Sequence, residues 1–365
     1  MLTVAGCRAR QKRLLAVMKK RGWDCFVSAN YRTAYYLTGV LCPSEVPVFV
    51  LLTRSGQCKL IAGASRDEHA ADELIPLETY SIDRCLTDLA GDAAALLEEA
   101  LGSAYSRFGM EAGTFPSSAL IVGTMEDATQ SLLALRKKKE ADEIAEIRAS
   151  LKLCKVAYDA AKRVIRPGLM EIEVHNAMYD AVMREAGTTV EFAGDFACGE
   201  RCVRGGGKPT RNVLREGDLY ILDLFPAPAL YFGDVCRTFI VGEPSKTQLR
   251  AWSLVAKVLR EAEAMVKPGV PARSVYEAVK KALAAAPGAK RSFWHHAGHG
   301  IGHHGHEAPR IIPGSHDVFE VGDVFTLEPG VYSTALQGGI RLEDNYVVTR
   351  NGVQNLFDYP LDLTK

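Results

Sequence analysis

The first third of the chain combines short apolar runs with a stretch in which apolar residues recur at helical spacing. Apolar runs of strand length lie at residues 25–27, 46–52 and 59–62, and a stretch rich in Ala, Leu and Glu follows at residues 87–101. Strands that alternate with helical patterns are typical of a layered α/β domain. The pattern therefore predicts an α/β domain in this region.

A longer helical pattern opens in a highly charged segment and marks a change in the chain. Ile144, Ile147 and Leu151 recur at intervals of three and four residues. Beyond this pattern the sequence predicts helices at residues 171–186, 246–266 and 272–286 and strands at residues 219–224, 231–241, 324–327, 330–332 and 340–348. We therefore predict two domains, residues 1–135 and residues 136–365.

The N-terminal segment, residues 1–22, mixes apolar residues with basic ones throughout. Leu14, Val17 and Met18 lie at helical spacing, which predicts an amphipathic surface helix. A secretory signal would need an uninterrupted apolar stretch after its basic start. No run approaches the ~18 apolar residues of a membrane span. We therefore expect a soluble, cytoplasmic protein with no membrane partner.

Charge and cysteine content exclude further classes of protein. Among the 365 residues Lys plus Arg is 44 and Asp plus Glu is 44, so the formal net charge is zero. A balanced charge gives no general attraction to nucleic acid or to an anionic membrane, and we expect neither as a partner. Nine cysteines, an odd number scattered through a long chain, do not indicate a disulfide framework.

Histidines are concentrated in one short segment. Six of the nine lie within residues 295–306, which read HHAGHGIGHHGH. The four glycines of this segment allow the backbone to pack closely and direct the imidazoles toward a common point. The alternative is a solvent-exposed, His-rich loop that binds transition metals adventitiously. We favour a functional site.

Four acidic residues lie among apolar residues of predicted strands: Asp223, Asp234, Glu328 and Glu343. A single buried carboxylate is most often paired within the core, because an uncompensated charge costs several kcal/mol. Four of them in one domain need a shared source of positive charge. Two divalent cations would supply it, and oxygen ligands with an imidazole suit Mn²⁺, Co²⁺, Fe²⁺ or Zn²⁺.

The sequence around these residues resembles one family. The segments LYILDLFPAPALYFGDVCRTFIVG, HHAGHGIGHHGHEAP, VFTLEPGVY and GIRLEDNYVVT resemble, in this order, the pita-bread metallopeptidases. These include Xaa-Pro aminopeptidases, prolidases, methionine aminopeptidases and the metal-free creatinases. The resemblance covers about residues 137–360, and NYRTAYYLTG near the start is similar to the creatinase/prolidase N-terminal domain. It implies an α/β N-terminal domain followed by an α+β pita-bread domain, in the layout of the short microbial Xaa-Pro dipeptidases.

The resemblance implies a metal centre with five protein ligands. By position they are Asp223, Asp234, His299, Glu328 and Glu343, called the ligand set below. Creatinases lack this set, so the resemblance implies a hydrolase with two divalent cations per subunit. Mn²⁺ is the first expectation, with Co²⁺, Zn²⁺ or Fe²⁺ as alternatives.

The resemblance also implies roles for residues around the metals. Glu328 would accept a proton from the attacking water. His306 and Arg341 would donate to the oxyanion, and His295 would line the substrate pocket. The implied reaction is hydrolysis of the N-terminal amide bond of a short peptide, with proline in second position. Relatives with this N-terminal domain are commonly dimers, so we expect a homodimer.

One position departs from the pattern of the family. Seventeen residues before Asp223, where the family carries a histidine that contacts the substrate near the leaving nitrogen, this chain has Gly206. The candidates to replace that histidine are Arg204, Lys208, His303 and His304. Three hypotheses stay open: an Xaa-Pro peptidase, the same metal centre with an altered peptide or non-peptide C–N substrate in a pocket widened at Gly206, and a binding protein with impaired catalysis.

Overall fold

The computed structural model describes residues 1–80, 82, 88–113, 115–116, 118–286 and 293–364. The chain forms two compact units. The first unit comprises Met1–Arg136 and Glu140–Asp142, and the second comprises Lys137–Lys139 and the chain from Glu143 onward. Residue 87, the first of the predicted helix 87–101, lies outside the described residues.

A mixed six-stranded sheet organises the first unit. In chain order its elements are α1 (Val4–Arg21), β1 (Cys25–Ser28), α2 (Tyr31–Thr38), β2 (Phe49–Thr53), β3 (Cys58–Ala62), β4 (Glu73–Pro76), α3 (Leu89–Leu101), β5 (Arg107–Met110), β6 (Thr124–Asp127) and α4 (Thr129–Lys137). The strand order is β4-β3-β2-β1-β5-β6. Only β2, among the described strands of this sheet, runs antiparallel to both neighbours. Alternate strand residues face two apolar clusters, one with α1 and α2 and the other with α3.

The predicted amphipathic helix at the N-terminus is α1. Thr3 caps its start by accepting a hydrogen bond from the backbone N–H of Gly6. Leu14 and Met18 are buried in an apolar cluster, whereas Val17 is only partly buried. The helix also buries Arg10, whose guanidinium pairs with Asp142 at 2.8 Å. One basic residue of this segment is therefore part of the interior of the first unit.

In the part that the structure describes, the second unit combines four α-helices with three sheets. Its elements are α5 (Ala141–Val164), α6 (Glu171–Ala186), β7 (Phe192–Cys198), β8 (Leu219–Pro226), β9 (Val235–Ile240), α7 (Lys246–Met265), α8 (Ala272–Leu283), β10 (His299–Gly300), β11 (Glu307–Arg310), β12 (Val324–Leu327), β13 (Gly330–Ser333), β14 (Gly338–Arg341), β15 (Asp344–Thr349) and β16 (Gly352–Asn355). The sheets are β7-β8-β9, β11-β10-β12-β15-β16 and β13-β14. An apolar cluster joins α7 and α8 to β12, β13, β14 and β15.

The segment predicted as one strand, residues 340–348, is two strands, so that prediction is wrong. The chain leaves β14 at Arg341 and enters β15 at Asp344, and these strands pair with β13 and β12 respectively. Between them, Glu343 exchanges backbone hydrogen bonds with Cys236 at 3.0 and 3.3 Å. Residues 340–348 read IRLEDNYVV, and such an alternation of apolar and polar residues carries no information about where a strand changes partners. The break places Glu343 beside β9.

No helix among the described residues combines the length and the apolar character that crossing a membrane requires.

Candidate metal centre

Strands of the second unit bring the whole ligand set to one cavity of about 410 Å³. Asp223 lies within β8, and Asp234 immediately precedes β9. His299 lies in β10, Glu328 directly follows β12, and Glu343 lies between β14 and β15. All five residues are buried. The structure therefore gathers side chains that are up to 120 positions apart in the sequence into one cavity wall.

The imidazole of His299 is oriented for coordination. Its Nδ1 lies 3.0 Å from the backbone carbonyl oxygen of Gly300, which can only accept, so Nδ1 carries the ring proton. Its Nε2 then has a lone pair, and Oδ2 of Asp234 and Oε1 of Glu328 are each 3.5 Å away. Ligand atoms of Asp234, His299 and Glu343 all lie within 4.8 Å of one another. These three side chains could hold a metal ion.

Three buried carboxylate oxygens of the ligand set accept no hydrogen bond from a described residue. Oδ1 of Asp223, Oε1 of Glu328 and Oε1 of Glu343 are buried and make no hydrogen bond to any residue that the structure describes. Leaving such a group unsatisfied costs about 1–3 kcal/mol, and more when it is charged. A divalent cation would remove this cost, and carboxylates with one imidazole are ligands that such cations accept. The residues present therefore fit a divalent metal centre.

The ionisation of these groups is interdependent. Burial and the neighbouring carboxylates raise the pKa of Asp234 and Glu343 well above the usual values. Burial also opposes ionisation of Glu328, but adjoining imidazoles, foremost His296, outweigh it and lower its pKa. Burial lowers the pKa of His299 to about 3, so this ring is neutral. Cations bound here would replace protons as the source of positive charge.

Arg341 neutralises one member of the ligand set. Its Nη2 donates to Oδ2 of Asp223 at 2.5 Å and to Oδ2 of Asp195 at 3.1 Å. Its Nη1 donates to the Gly205 carbonyl at 2.8 Å and to the Tyr332 hydroxyl at 3.2 Å. An oxyanion could bond these nitrogens only if an existing bond broke. Arg341 thus holds Asp223 in position, and its role as an oxyanion donor stays a prediction.

His295 and His306 both line the cavity. Nδ1 of His295 lies 2.7 Å from the carbonyl oxygen of His296, and Nε2 lies 2.8 Å from the Tyr332 hydroxyl. Burial lowers the pKa of His295 to about 4, so its neutral ring donates through Nδ1 and accepts at Nε2. His306 is exposed, and its ring centroid is 3.9 Å from that of His299. Of the two histidines, His306 is the one open to a ligand.

Asp195 is a cavity residue that sequence reasoning missed. It lies in β7, and a Cβ atom at Gly206 would lie 2.3 Å from its Cγ and Oδ2. The carboxyl group of Asp195 therefore occupies the space beside Gly206, which corrects the expectation of a widened pocket. A single acid within the apolar run FAGDFAC was the available signal.

His296 was part of the recognised histidine segment, but sequence reasoning gave it no role. Its Nδ1 lies 2.8 Å from Oε1 of Glu328 inside the cavity. Burial disfavours the charged form of His296, but the Glu328 carboxylate outweighs burial and raises its pKa. Its place next to the ligand set could be found only from the folded chain.

The structure separates the four candidates to replace the missing histidine. Arg204 lines the cavity, whereas Lys208, His303 and His304 are not among its lining residues. The ring of His303 stacks on Tyr231 with centroids 4.5 Å apart. Of the four candidates, Arg204 thus shares the cavity with the ligand set, and its catalytic role stays a prediction.

Two known sequence families match this chain in succession. The profile of the creatinase/prolidase N-terminal domain matches residues 10–146, and that of metallopeptidase family M24 matches residues 145–350. An uncharacterized peptidase of Bacillus subtilis, YqhT, is 29% identical over 261 residues, which are 71% of this chain and 73% of that protein. The Xaa-Pro dipeptidase of Pyrococcus horikoshii is 25% identical over 346 residues, which are 94% of this chain and 95% of that protein.

Solved structures share the fold over the full length. The crystal structure of the prolidase from Pyrococcus horikoshii OT3 matches with a TM-score of 0.81 and 24% identity, over 97% of this chain and 99% of that chain. The dipeptidase PepE from Mycobacterium ulcerans matches with a TM-score of 0.78 and 25% identity, over 100% and 98%. These matches confirm the predicted fold class, a creatinase-type N-terminal domain followed by a pita-bread domain.

Proposed function

The chain belongs to metallopeptidase family M24, and we propose that it hydrolyses the N-terminal amide bond of short peptides with proline in second position, using two divalent cations. The observation that carries this proposal is the convergence of the ligand set on one cavity, with buried oxygens that accept no hydrogen bond from any described residue. The similarity to the Xaa-Pro dipeptidase of Pyrococcus horikoshii supports the substrate class. Mn²⁺ suits a set in which carboxylates dominate. We further propose that the protein is a homodimer.

The side chains of the cavity suit this hydrolysis. When bound, two divalent cations supply the charge that activates a water nucleophile and polarises the scissile carbonyl. Glu328 is ionised at neutral pH because adjoining imidazoles, in spite of burial, lower its pKa, and it can therefore accept the proton of that water. His306 is exposed beside His299 and can donate to the carbonyl oxygen as charge develops there.

The cavity also offers apolar surface for a proline ring. Phe225 and Trp294 are among its lining residues. Aromatic faces provide large contact areas for saturated rings at a low cost in side-chain entropy. The ring of His295 is held by the carbonyl oxygen of His296 and the hydroxyl of Tyr332, and it adds a rigid surface to the cavity wall.

The decisive experiment is turnover of a peptide panel by metal-reconstituted protein. Chelator-treated protein loaded with Mn²⁺ or Co²⁺ should hydrolyse Xaa-Pro dipeptides or tripeptides. Glu328→Gln should lower kcat by at least ~10²–10⁴, the range that a general base contributes. Glu320→Gln, an exposed acid of the same unit, is the matched control. An intact panel with two metals demonstrably bound would contradict the proposal and favour the binding-protein hypothesis.

A second candidate function keeps the metal centre and changes the substrate. Its supporting observation is the carboxylate of Asp195, which lies in the cavity beside Gly206. Arg341 is the shared partner of Asp195 and Asp223, so one positive charge faces two carboxylates. The remaining negative charge favours a substrate with a positive charge near the leaving nitrogen over one with proline. The same panel, extended to Xaa-Lys and Xaa-Arg dipeptides and to small amides, decides between the two. A higher kcat/KM for the basic peptides than for Xaa-Pro peptides supports the second candidate.

A further inference from the structure

The contact between His296 and Glu328 is not that of an ordinary hydrogen-bonded pair. Nδ1 of His296 and Oε1 of Glu328 are 2.8 Å apart and both are buried. Even so, neither atom makes an aligned hydrogen bond with any residue that the structure describes. The same Oε1 lies 3.5 Å from Nε2 of His299. One carboxylate oxygen therefore lies near two imidazole nitrogens and is hydrogen-bonded to neither.

These separations match those of ligand atoms around one cation. Ligand atoms about 2.1 Å from a metal are about 3.0 Å apart at a right angle and about 3.4 Å apart at the tetrahedral angle. The separations of 2.8 and 3.5 Å bracket this range. In an imidazole–carboxylate ion pair the N–H bond would instead point at the oxygen. Because Oε1 of Glu328 accepts no aligned hydrogen bond from a described residue, this oxygen and Nδ1 of His296 are both available to a cation.

The neighbouring histidine does not offer a free lone pair. His295, His296 and Glu328 have atoms within 4.8 Å of one another, as a metal site requires. Both ring nitrogens of His295 are engaged, however, one with the His296 carbonyl and the other with the Tyr332 hydroxyl. Coordination by His295 would break one of these bonds. His296 is thus the histidine of this pair that can bind a metal through Nδ1.

We propose that His296 is a sixth metal ligand, which binds a cation together with Glu328 and adds an imidazole nitrogen to one of the two cation positions. This inference rests on the metal centre of the proposed function. Imidazole ligands favour Zn²⁺ and Fe²⁺, whereas a site of carboxylates alone suits Mn²⁺. The two positions therefore differ in preference: the position at His296 selects a nitrogen-seeking cation, and the carboxylate-dominated one accepts Mn²⁺.

The test measures metal binding rather than turnover. Chelator competition gives stepwise dissociation constants for Zn²⁺ and for Mn²⁺ in the wild type, His296→Ala, His296→Asn and the exposed control His316→Ala. Loss of a residue that merely supports a metal ligand already weakens metal binding roughly 10–100-fold. Loss of a direct ligand in His296→Ala should therefore weaken Zn²⁺ binding at one position by at least that factor. Its effect on Mn²⁺ should be much smaller. His296→Asn, which replaces nitrogen by oxygen, should shift the preference of this position toward Mn²⁺.

A Co²⁺-loaded sample supplies a spectroscopic readout. The visible ligand-field spectrum of Co²⁺ should change in His296→Ala and should be unchanged in His316→Ala. Far-UV circular dichroism of the metal-free variants verifies that the fold is retained. Equal Zn²⁺ constants and equal Co²⁺ spectra in wild type and His296→Ala would overturn the inference. If the Zn²⁺ constants and Co²⁺ spectra are equal but the protein hydrolyses peptides, only the inference about His296 is wrong. If His296 binds metal but no peptide is hydrolysed, only the proposed function is wrong.

Discussion

At the scale of single residues, Gly206 and Asp195 act as a pair. A Cβ at Gly206 would lie 2.3 Å from Cγ of Asp195, so any larger side chain collides with the carboxyl group. Gly206→His should therefore lower the free energy of unfolding by about 1–3 kcal/mol, the usual cost of overpacking. Asp195→Ala in the same chain should restore most of this loss.

Urea unfolding of both single variants and of the double variant measures this coupling as a double-mutant cycle. Gly314→His is the control, because no described atom lies within 4 Å of a Cβ at that position. Additive effects of the two substitutions would show that Asp195 does not occupy the space in solution. Non-additive effects on stability would confirm that the two residues share one space. If the double variant also hydrolyses Xaa-Pro peptides faster than Gly206→His alone, this pair is a determinant of substrate choice.

The site residues that could be predicted from the sequence lie in recognisable local patterns, and those that were missed do not. The acids of the ligand set were predictable because each lies in or directly beside a recognisable apolar segment, where an unpaired charge is costly. Asp195 has the same character, but it lies in β7, a strand that was not predicted. The role of His296 depends on a contact with Glu328, 32 positions away in the sequence. No local pattern encodes a contact of that kind.

At the scale of elements, helices and strands could be predicted wherever the spacing of apolar residues alone determines them. The predicted helix 171–186 and the predicted strand 324–327 match α6 and β12 residue for residue. The prediction of one strand at residues 340–348 was wrong because the position of the break depends on which strand each half pairs with. Pairing is a property of the whole sheet and not of the segment. The break between strands at Glu343 could thus not be predicted from the apolar pattern, although the acid itself was recognised.

Arg237 holds this divided segment in place. It is fully buried in β9, donates to Oδ1 of Asp344 at 2.7 Å, and donates to the backbone carbonyl of Glu343 at 2.8 Å. Arg237→Met keeps the length of the side chain but leaves the buried Asp344 carboxylate without this partner. We expect a loss of about 3–5 kcal/mol in the free energy of unfolding, as for other broken buried ion pairs.

Urea denaturation monitored by circular dichroism measures this loss. Arg273→Ala is the matched control, since the guanidinium of Arg273 is exposed and 3.7 Å from Glu277, and such surface pairs contribute at most ~1 kcal/mol. An unchanged unfolding midpoint in Arg237→Met would contradict the role assigned to this arginine. A midpoint that falls only in the metal-free protein would show that bound cations take over the positioning of Glu343.

At the scale of the whole molecule, every member of the ligand set belongs to the second of the two compact units. A ligand that binds only folded protein stabilises it by about 2.7 kcal/mol at a concentration of ~100 times its Kd. Hydrogen exchange should therefore slow by up to ~100-fold at amides of β8, β12 and β15 when Zn²⁺ or Mn²⁺ is added to chelator-treated protein. The amides of β1, β2 and β3 in the first unit should exchange at unchanged rates and serve as an internal control. Equal slowing in both units would mean that the two units unfold together in a single cooperative transition. No slowing in either unit would contradict the metal centre itself.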